Sequence, residues 1–213
     1  LEIRRGMEPH RLAAELRRAF SGIVSGNVKE QGIRLIEEHG PFEIHGDPDL
    51  MRPLDALLSE VGAAELQQLR SEYSGLFEVG SEGPPVPIRE DLQTGQRSGT
   101  REDVVRFYDY FGYVLDEKFA WQPDHLSLQL EFMHYLCFRE SEQAEEVLSY
   151  QLAQLDFAER HLLSWVPRFA AQVETHAPGS LYARVVGALR DFLAEDFAWQ
   201  TGTITVNEQP PSR

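Results

Sequence analysis

Glu131 and His134 form the one metal-like pattern in this sequence, a Glu-x-x-His spacing that places a carboxylate and an imidazole on one face of a helix. Di-iron carboxylate bundles use this half-motif, but a complete site needs a second copy and two further glutamates. The sequence contains no second Glu-x-x-His. A helical metal-dependent oxidoreductase that uses Glu131 and His134 is therefore an alternative hypothesis, and no metal or other cofactor is predicted.

A second constellation has the residue types needed to hold a peptide. Trp121, Pro123, Asp124 and His125 stand together at the start of a long apolar segment. A carboxylate can pair with arginine, and aromatic faces can stack on its guanidinium group. Asp124 can equally favour a helix N-terminus, and His125 can simply close a loop, so both interpretations remain open. The further candidates that line or shape this peptide site are Tyr73, Leu76, Phe77, Pro84 and Pro87, with Glu131 beyond the turn. The aromatic residues at 73 and 77 lie at helical spacing and can equally be core residues.

Other catalytic signatures are missing from the sequence. It has no His-Glu-x-x-His pattern, no glycine-rich phosphate loop and no Gly-x-Ser-x-Gly pattern. The single cysteine, Cys137, lies inside the most apolar segment, where a free thiol is usually a core residue. We therefore predict a protein that is not an enzyme.

The apolar segment that follows Trp121 predicts the central helix. Proline at a first helical position with an acid beside it favours a helix start near Pro123. Apolar residues cover most of the circumference from Leu126 onward, which is typical of a helix buried in a core. The remaining face carries Ser127, Glu131, His134 and Phe138.

Helical periodicity dominates the rest of the chain, where it predicts two amphipathic helices over residues 8–21 and about 28–38. The whole pattern predicts the all-α class, a single globular domain of about eight or more helices over residues 1–199. Residues 78–99 contain prolines and glycines without periodicity and predict a long loop. Thr100 and Ser180 are expected to cap helices, and residues 141–173 to form a long helical pattern that Pro167 kinks. Residues 200–213 are expected to be a mobile tail.

Composition limits the possible partners. The 213 residues include 20 basic and 35 acidic side chains, a formal net charge of −15. A negative surface repels phosphate backbones, so nucleic acid is excluded as an expected partner, whereas a basic peptide is attracted. No stretch is apolar over the ~18 residues of a membrane helix, and residues 1–10 do not resemble a signal peptide. We therefore expect no stable membrane insertion and a cytoplasmic location.

Several motifs in order resemble the TorD/DmsD/NarJ family of redox-enzyme maturation chaperones over about residues 60–200. They are Tyr73-x-x-Leu76-Phe77, Gly83-Pro84-x-x-Pro87, Phe107-Tyr108 with Phe111-Gly112, and Pro123-Asp124-His125-Leu126 with Leu130-Glu131-Phe132-Met133. The segments Leu162-Leu163-x-Trp165-x-Pro167-x-Phe169 and Tyr182 to Phe192 resemble the C-terminal helices of the family.

This resemblance implies an all-helical cytoplasmic chaperone that binds the twin-arginine leader and body of a molybdoenzyme catalytic subunit. It implies that the chaperone delays export until molybdenum cofactor is inserted, and the Glu-Phe-Met stretch is most similar to members serving enzymes of the dimethyl-sulfoxide-reductase type. Under this hypothesis Asp124 and Glu131 face the paired arginines, Trp121 and Phe77 contact the apolar part of the leader, and His125 holds the loop. A helical adaptor, or a homodimer formed through the same grooves, is the remaining alternative.

Overall fold

The computed structural model describes residues 56–207, apart from residues 58, 82, 96–98, 118 and 143–145. These residues contain seven α-helices with described bounds, further helical residues at 56–57 and 59–63, and no β-strand, which confirms the predicted all-α class. The helices are α1 (Leu66–Phe77), α2 (Glu90–Gln93), α3 (Thr100–Phe111), α4 (Leu126–Glu142), α5 (Val147–Ala158), α6 (Val166–His176) and α7 (Leu181–Asn207). The helices predicted before residue 40 lie outside the described residues, so the helix count and the single domain remain predictions for the whole chain.

Helix α4 lies at the centre of the core, as its apolar circumference predicts. Leu126, Leu130, Phe132, Met133 and Leu136 are fully buried along it. Helix α5 packs along α4, and α6 and α7 pack against each other. Burying a leucine or phenylalanine side chain contributes about 1.5–3 kcal/mol, so these five residues alone stabilise the fold strongly.

The start of the central helix differs from the prediction, because α4 begins at Leu126 and not near Pro123. Residues 123–125 form a turn whose backbone pairs with the chain around Arg89. The Leu126 amide donates to the Ile88 carbonyl oxygen at 3.2 Å, and the Glu90 amide donates to the Asp124 carbonyl oxygen at 3.1 Å. These bonds hold the backbone before Leu126 in an extended conformation. The helical spacing of apolar residues in the sequence does not predict such bonds to a distant segment.

The segment between α1 and α3 is more ordered than the predicted loop over residues 78–99. Its side chains Val86 and Ile88 are buried, and the Val86 amide donates to the Leu76 carbonyl oxygen at 3.0 Å. Helix α2 follows within the same segment. The expectation of a structureless loop is therefore wrong for residues 86–95, because two apolar side chains attach the segment to the core.

A π-helical turn, Glu159–Leu163, divides the helical pattern predicted as one unit over residues 141–173. Pro167 then lies in the first turn of α6, where its missing N–H leaves no helical hydrogen bond unmade. Pro167 therefore begins a helix, and the expected kink at this residue is wrong.

The two predicted helix caps have different outcomes. The Ala183 amide donates to Ser180 Oγ at 3.1 Å, which confirms Ser180 as the cap of α7. Thr100 is the first residue of α3, and the cap position belongs to Gly99, whose φ of 97° favours glycine. The capping-box prediction at Thr100 is wrong because the chain enters the helix through this left-handed glycine.

Helix α7 extends to Asn207, so the tail does not begin at residue 200 as predicted. Gln200 and Ile204 are buried on its inner side, which explains why the helix continues past Phe197. Among the described residues, no helix has the length and apolarity required to cross a lipid bilayer.

Candidate functional site

Asp124 lies at the centre of a buried polar cluster that joins the turn at residues 123–125 to the segment before α2. Its carboxylate is completely buried, and Oδ1 accepts hydrogen bonds from Arg89 Nε at 3.2 Å and Nη2 at 3.1 Å. Oδ2 accepts a bond from the Asp91 amide at 3.0 Å. Arg101 Nε lies 3.9 Å from Oδ1 at the outer side. The carboxylate therefore has partners on both oxygens within the chain.

The prediction that Asp124 faces the arginines of another protein is wrong for this structure. An arginine does bind the carboxylate, but it is Arg89 of the same chain. Both guanidinium groups near Oδ1, those of Arg89 and Arg101, belong to this chain. Asp124 fixes the shape of the surrounding surface and does not form part of it.

His125 is also buried, with 9% of its surface exposed. Its Nδ1 accepts a hydrogen bond from the Ser127 amide at 3.2 Å and lies 2.8 Å from Ser127 Oγ. Burial, opposed by the charge of Asp124 and assisted by that of Arg89, lowers the pKa of His125 to about 4. The imidazole is therefore neutral at physiological pH. It cannot present itself to a peptide, and the role of His125 in holding the loop stays a prediction.

Tyr73, Leu76 and Phe77 form the buried side of α1, which corrects their predicted place on a peptide surface. The Tyr73 and Phe77 rings are 5.1 Å apart, and Phe77 also contacts Tyr182 and Phe169 at 5.6 and 5.7 Å between ring centroids. Phe77 is 4% exposed. These aromatic contacts stabilise the core, and Phe77 is not available to an apolar segment of a leader.

Trp121 is the predicted site residue that lies most clearly at the surface, with 63% of its surface exposed. Its carbonyl oxygen accepts a hydrogen bond from Arg101 Nη2, which ties the preceding turn to the start of α3. Pro84 and Pro87 are half-buried, whereas Pro123 is buried and its carbonyl oxygen accepts a bond from Tyr108 Oη at 2.9 Å. Trp121, Pro84 and Pro87 are therefore accessible, and Pro123 is part of the scaffold.

Glu131 and His134 are half-buried on α4. Glu131 Oε2 accepts a hydrogen bond from Tyr113 Oη at 3.3 Å, and the negative charge contributes to raising the pKa of Tyr113 after the larger effect of burial. No group of three or more His, Cys, Asp or Glu side chains suited to a metal ion occurs among the described residues. Cys137 is buried and its thiol donates to Gln154 Oε1 at 2.9 Å, as expected of a core cysteine.

Sequence reasoning missed a second polar cluster, which surrounds Glu90 and His161. Glu90 Oε2 accepts a bond from Gln129 Nε2 at 2.6 Å, and His161 Nδ1 lies 3.1 Å from both Glu90 oxygens. Burial raises the pKa of Glu90, although the hydrogen bond and the charge of His161 oppose this effect. The only sequence signal was the charged run Arg89-Glu90-Asp91 directly after the apolar Val86 and Ile88.

The structure thus divides the predicted peptide site into a buried scaffold and a few accessible positions.

Comparison with known proteins then decides the family. The family model described as nitrate reductase delta subunit matches residues 46–171, more than half of the chain. The chain belongs to this family. Proteins named TorD are also among its relatives, so the predicted TorD/DmsD/NarJ resemblance is confirmed.

Relatives within this family are named as chaperones. The perchlorate reductase assembly chaperone protein of Dechloromonas aromatica is 31% identical over 185 residues, which cover 82% of this chain and 80% of that protein. A crystal structure of a candidate redox enzyme maturation protein from Archaeoglobus fulgidus superposes with a TM-score of 0.54. It is 22% identical and covers 85% of this chain and 93% of its own, which shows a shared fold.

The beginning of the chain is similar to a different family. Residues 1–79 match the model described as the C-terminal part of pyrimidine/purine nucleotide monophosphate nucleosidase. The Escherichia coli K12 nucleosidase is 55% identical over 69 residues, which cover 32% of this chain and 15% of that enzyme. Residues 1–55 lie outside the described residues. Sequence reasoning had assigned two amphipathic helices here and did not detect this similarity.

Proposed function

We propose that this chain is an assembly chaperone whose client is the catalytic subunit of a molybdoenzyme of the dimethyl-sulfoxide-reductase type. It binds the twin-arginine leader and the body of that subunit in the cytoplasm, without catalytic turnover. It assists insertion of molybdenum cofactor and delays export until insertion is complete. Family membership and the names of the relatives support this proposal.

The observation that carries the leader-binding part is an exposed turn formed by residues 116, 117 and 119–121, here called the acidic aromatic turn. Asp116 and Glu117 are exposed on it, and Phe119 and Trp121 are 38% and 63% exposed. A twin-arginine leader combines paired guanidinium groups with an apolar segment. Carboxylates bind guanidinium groups, and aromatic faces contact guanidinium groups and apolar side chains alike. This turn therefore has the chemistry that such a leader needs.

The turn is held in a defined conformation, which reduces the entropy lost when a peptide binds. The Phe119 amide donates to the Asp116 carbonyl oxygen at 2.9 Å, and the Gln122 amide donates to the Phe119 carbonyl oxygen at 3.0 Å. Arg101 binds the Trp121 carbonyl oxygen, and the buried Asp124 fixes the chain three residues further on. The buried predicted residues therefore position the surface that contacts the leader.

Long-range electrostatics favour the same partner. The formal charge of −15 attracts a cationic segment and accelerates its association at low ionic strength. Glu131, Pro84 and Pro87 are the other accessible members of the predicted site, and we propose that they extend the contact surface. The affinity for a leader should therefore fall as salt is added.

Titration of a synthetic twin-arginine leader into the chain tests the proposal. Trp121→Ala should weaken binding about tenfold, since a truncated aromatic anchor at an interface typically costs more than about 1 kcal/mol. Tyr110→Ala is the matched control, because Tyr110 is 80% exposed but lies nine residues beyond Arg101, about 14 Å along α3. The control should change the affinity less than about twofold.

Two results would contradict leader binding at this turn. One is equal affinity of the wild-type chain and Trp121→Ala, and the other is equal affinity for the leader and for a copy with both arginines replaced by glutamine. Native mass spectrometry with and without the leader separates this interpretation from a homodimer. A dimer whose mass and abundance do not respond to the leader would favour the adaptor alternative.

A further inference from the structure

A cleft of about 560 Å³ opens between α2, the start of α3, the π-helical turn and α6. It lies on elements separate from the acidic aromatic turn. Glu90 and His161 form part of its wall, and its mouth carries Arg106, Arg160 and Arg168. Neither the family comparison nor the proposed leader site assigns any role to it.

The cleft gathers positive charge in a strongly acidic protein. Among the described residues, three arginines line it against two acids, Glu90 and Asp103. Arg160 neutralises Asp103 through a direct ion pair and also contacts Asp156 at 3.3 Å. Glu90 is 4% exposed, and its carboxylate already binds Gln129 and His161. The charge available to a ligand is therefore that of Arg106 and Arg168.

Two buried polar atoms of the lining residues have no hydrogen-bond partner in the described part of the chain, namely His161 Nε2 and Gln93 Oε1. The imidazole of His161 is 4% exposed and binds Glu90 through Nδ1. Its Nε2 points the other way, 3.3 Å from Asp103 Oδ2, in a geometry that does not form a hydrogen bond. In native proteins such buried atoms are usually paired with protein, ordered water or a bound ion.

The N-terminus of α3 faces the same space. Gly99 and Thr100 line the cleft, and no side chain among the described residues caps the first amides of this twelve-residue helix. Uncapped amides at a helix N-terminus carry partial positive charge and bind oxyanions. His161 lies in the π-helical turn on the opposite side, and π-turns often occur at functional sites. Amides, guanidinium groups and an unsatisfied imidazole thus converge on one cavity.

We infer that this cleft binds a small oxyanion of the phosphate type. Arg106 and Arg168 contact its oxygens from the mouth, the first amides of α3 donate from one wall, and His161 Nε2 contacts it from the floor. A cationic ligand is disfavoured because both carboxylates already have internal partners. The inference does not depend on leader binding, since it concerns different residues.

Isothermal titration of inorganic pyrophosphate into the full chain at low ionic strength tests the site. We expect saturable binding to the wild-type chain. Arg106→Ala should weaken pyrophosphate binding about tenfold, because losing one charge-assisted hydrogen bond to an oxyanion raises the Kd by about that factor. Arg190→Ala is the matched control, since it removes the same charge from an exposed residue of α7 that does not line the cleft. The control should bind pyrophosphate as the wild type does.

A second variant and a second ligand make the outcome specific. Arg106→Lys keeps the charge but loses the planar fork, so its affinity should lie between those of the wild type and Arg106→Ala.

Glycerol phosphate tested beside glycerol shows whether the phosphate group carries the binding, and only the phosphorylated compound should bind. Tighter binding of glycerol phosphate than of inorganic phosphate would indicate a phosphate ester as the ligand, whereas equal binding would indicate the free anion.

The inference is overturned if the wild-type chain shows no saturable binding of pyrophosphate at millimolar concentration. It is also overturned if Arg106→Ala and Arg190→Ala have the same affinity, because general attraction to arginines would then explain the signal. Circular dichroism of each variant excludes loss of the fold as the cause. Arg106 is exposed on α3, so its replacement is not expected to disturb the core.

Discussion

Replacing Asp124 with alanine distinguishes a structural carboxylate from a peptide-binding one. The change removes the acceptor of two hydrogen bonds from Arg89 and of one from the Asp91 amide. Arg89 is 17% exposed and would keep its charge in a largely buried place. Breaking a buried ion pair by removing one partner costs about 3–5 kcal/mol, and partial access of Arg89 to water places the cost near about 3 kcal/mol.

Urea unfolding followed by circular dichroism measures this loss directly. For a chain of this size a loss of about 3 kcal/mol corresponds to a fall in Tm of about 6–12 °C. Asp109→Ala removes the same charge from an exposed position on α3 and should change the free energy of unfolding by less than about 0.5 kcal/mol. The double variant with Arg89→Ala should lose less than the sum of the single changes, by about 1–3 kcal/mol.

One pattern would refute this account of Asp124. If Asp124→Ala were as stable as Asp109→Ala while its affinity for a twin-arginine leader fell about tenfold, the carboxylate would be a direct ligand of the leader. Arg89 would then be a bystander in the cluster, and the buried arrangement would not describe the chain in solution.

Two further predictions concern stability. Folding lowers the pKa of His125 from 6.5 to about 4. The unfolded chain therefore binds a proton at a higher pH than the folded chain, and the free energy of unfolding falls as pH drops through this interval. Between pH 7 and pH 5 the free energy of unfolding should fall by about 2 kcal/mol. Urea titrations of His125→Gln should lack this loss, whereas His176→Gln, at an exposed position, should retain it. Gly112→Ala should destabilise by about 1 kcal/mol because Gly112 ends α3 with a φ of 70°. Gly187 lies within α7, and an added Cβ would meet no atom within 4 Å, so Gly187→Ala should stabilise by about 0.5–1 kcal/mol. Equal effects of the two glycine changes in thermal melts would contradict the assigned backbone.

Local patterns in the sequence predicted the features that depend on neighbouring residues. The all-α class and the buried face of α4 follow from periodicity, and the Ser180 cap follows from a single residue type. The family resemblance came from motifs that keep their order along the chain. Each of these signals extends over a few residues, which is the range that single-sequence reasoning can use.

The missed features depend on residues distant in sequence. Asp124 and Arg89 are 35 positions apart, and Glu90 and His161 are 71 apart, so no local pattern reveals either pair. Aromatic residues at helical spacing occur both in cores and at surfaces, which is why Phe77 was assigned to the peptide site. The similarity of residues 1–79 to a nucleosidase family is a property of the whole segment and has no single motif.

The molybdenum content of the client enzyme tests the central proposal most directly. The gene for this chain is deleted in its host, the molybdoenzymes of the dimethyl-sulfoxide-reductase type are purified, and molybdenum per polypeptide is measured by mass spectrometry. The account predicts that at least one catalytic subunit lacks molybdenum, remains unexported, and recovers when the wild-type chain is supplied. Unchanged molybdenum content and export of every such subunit would contradict it.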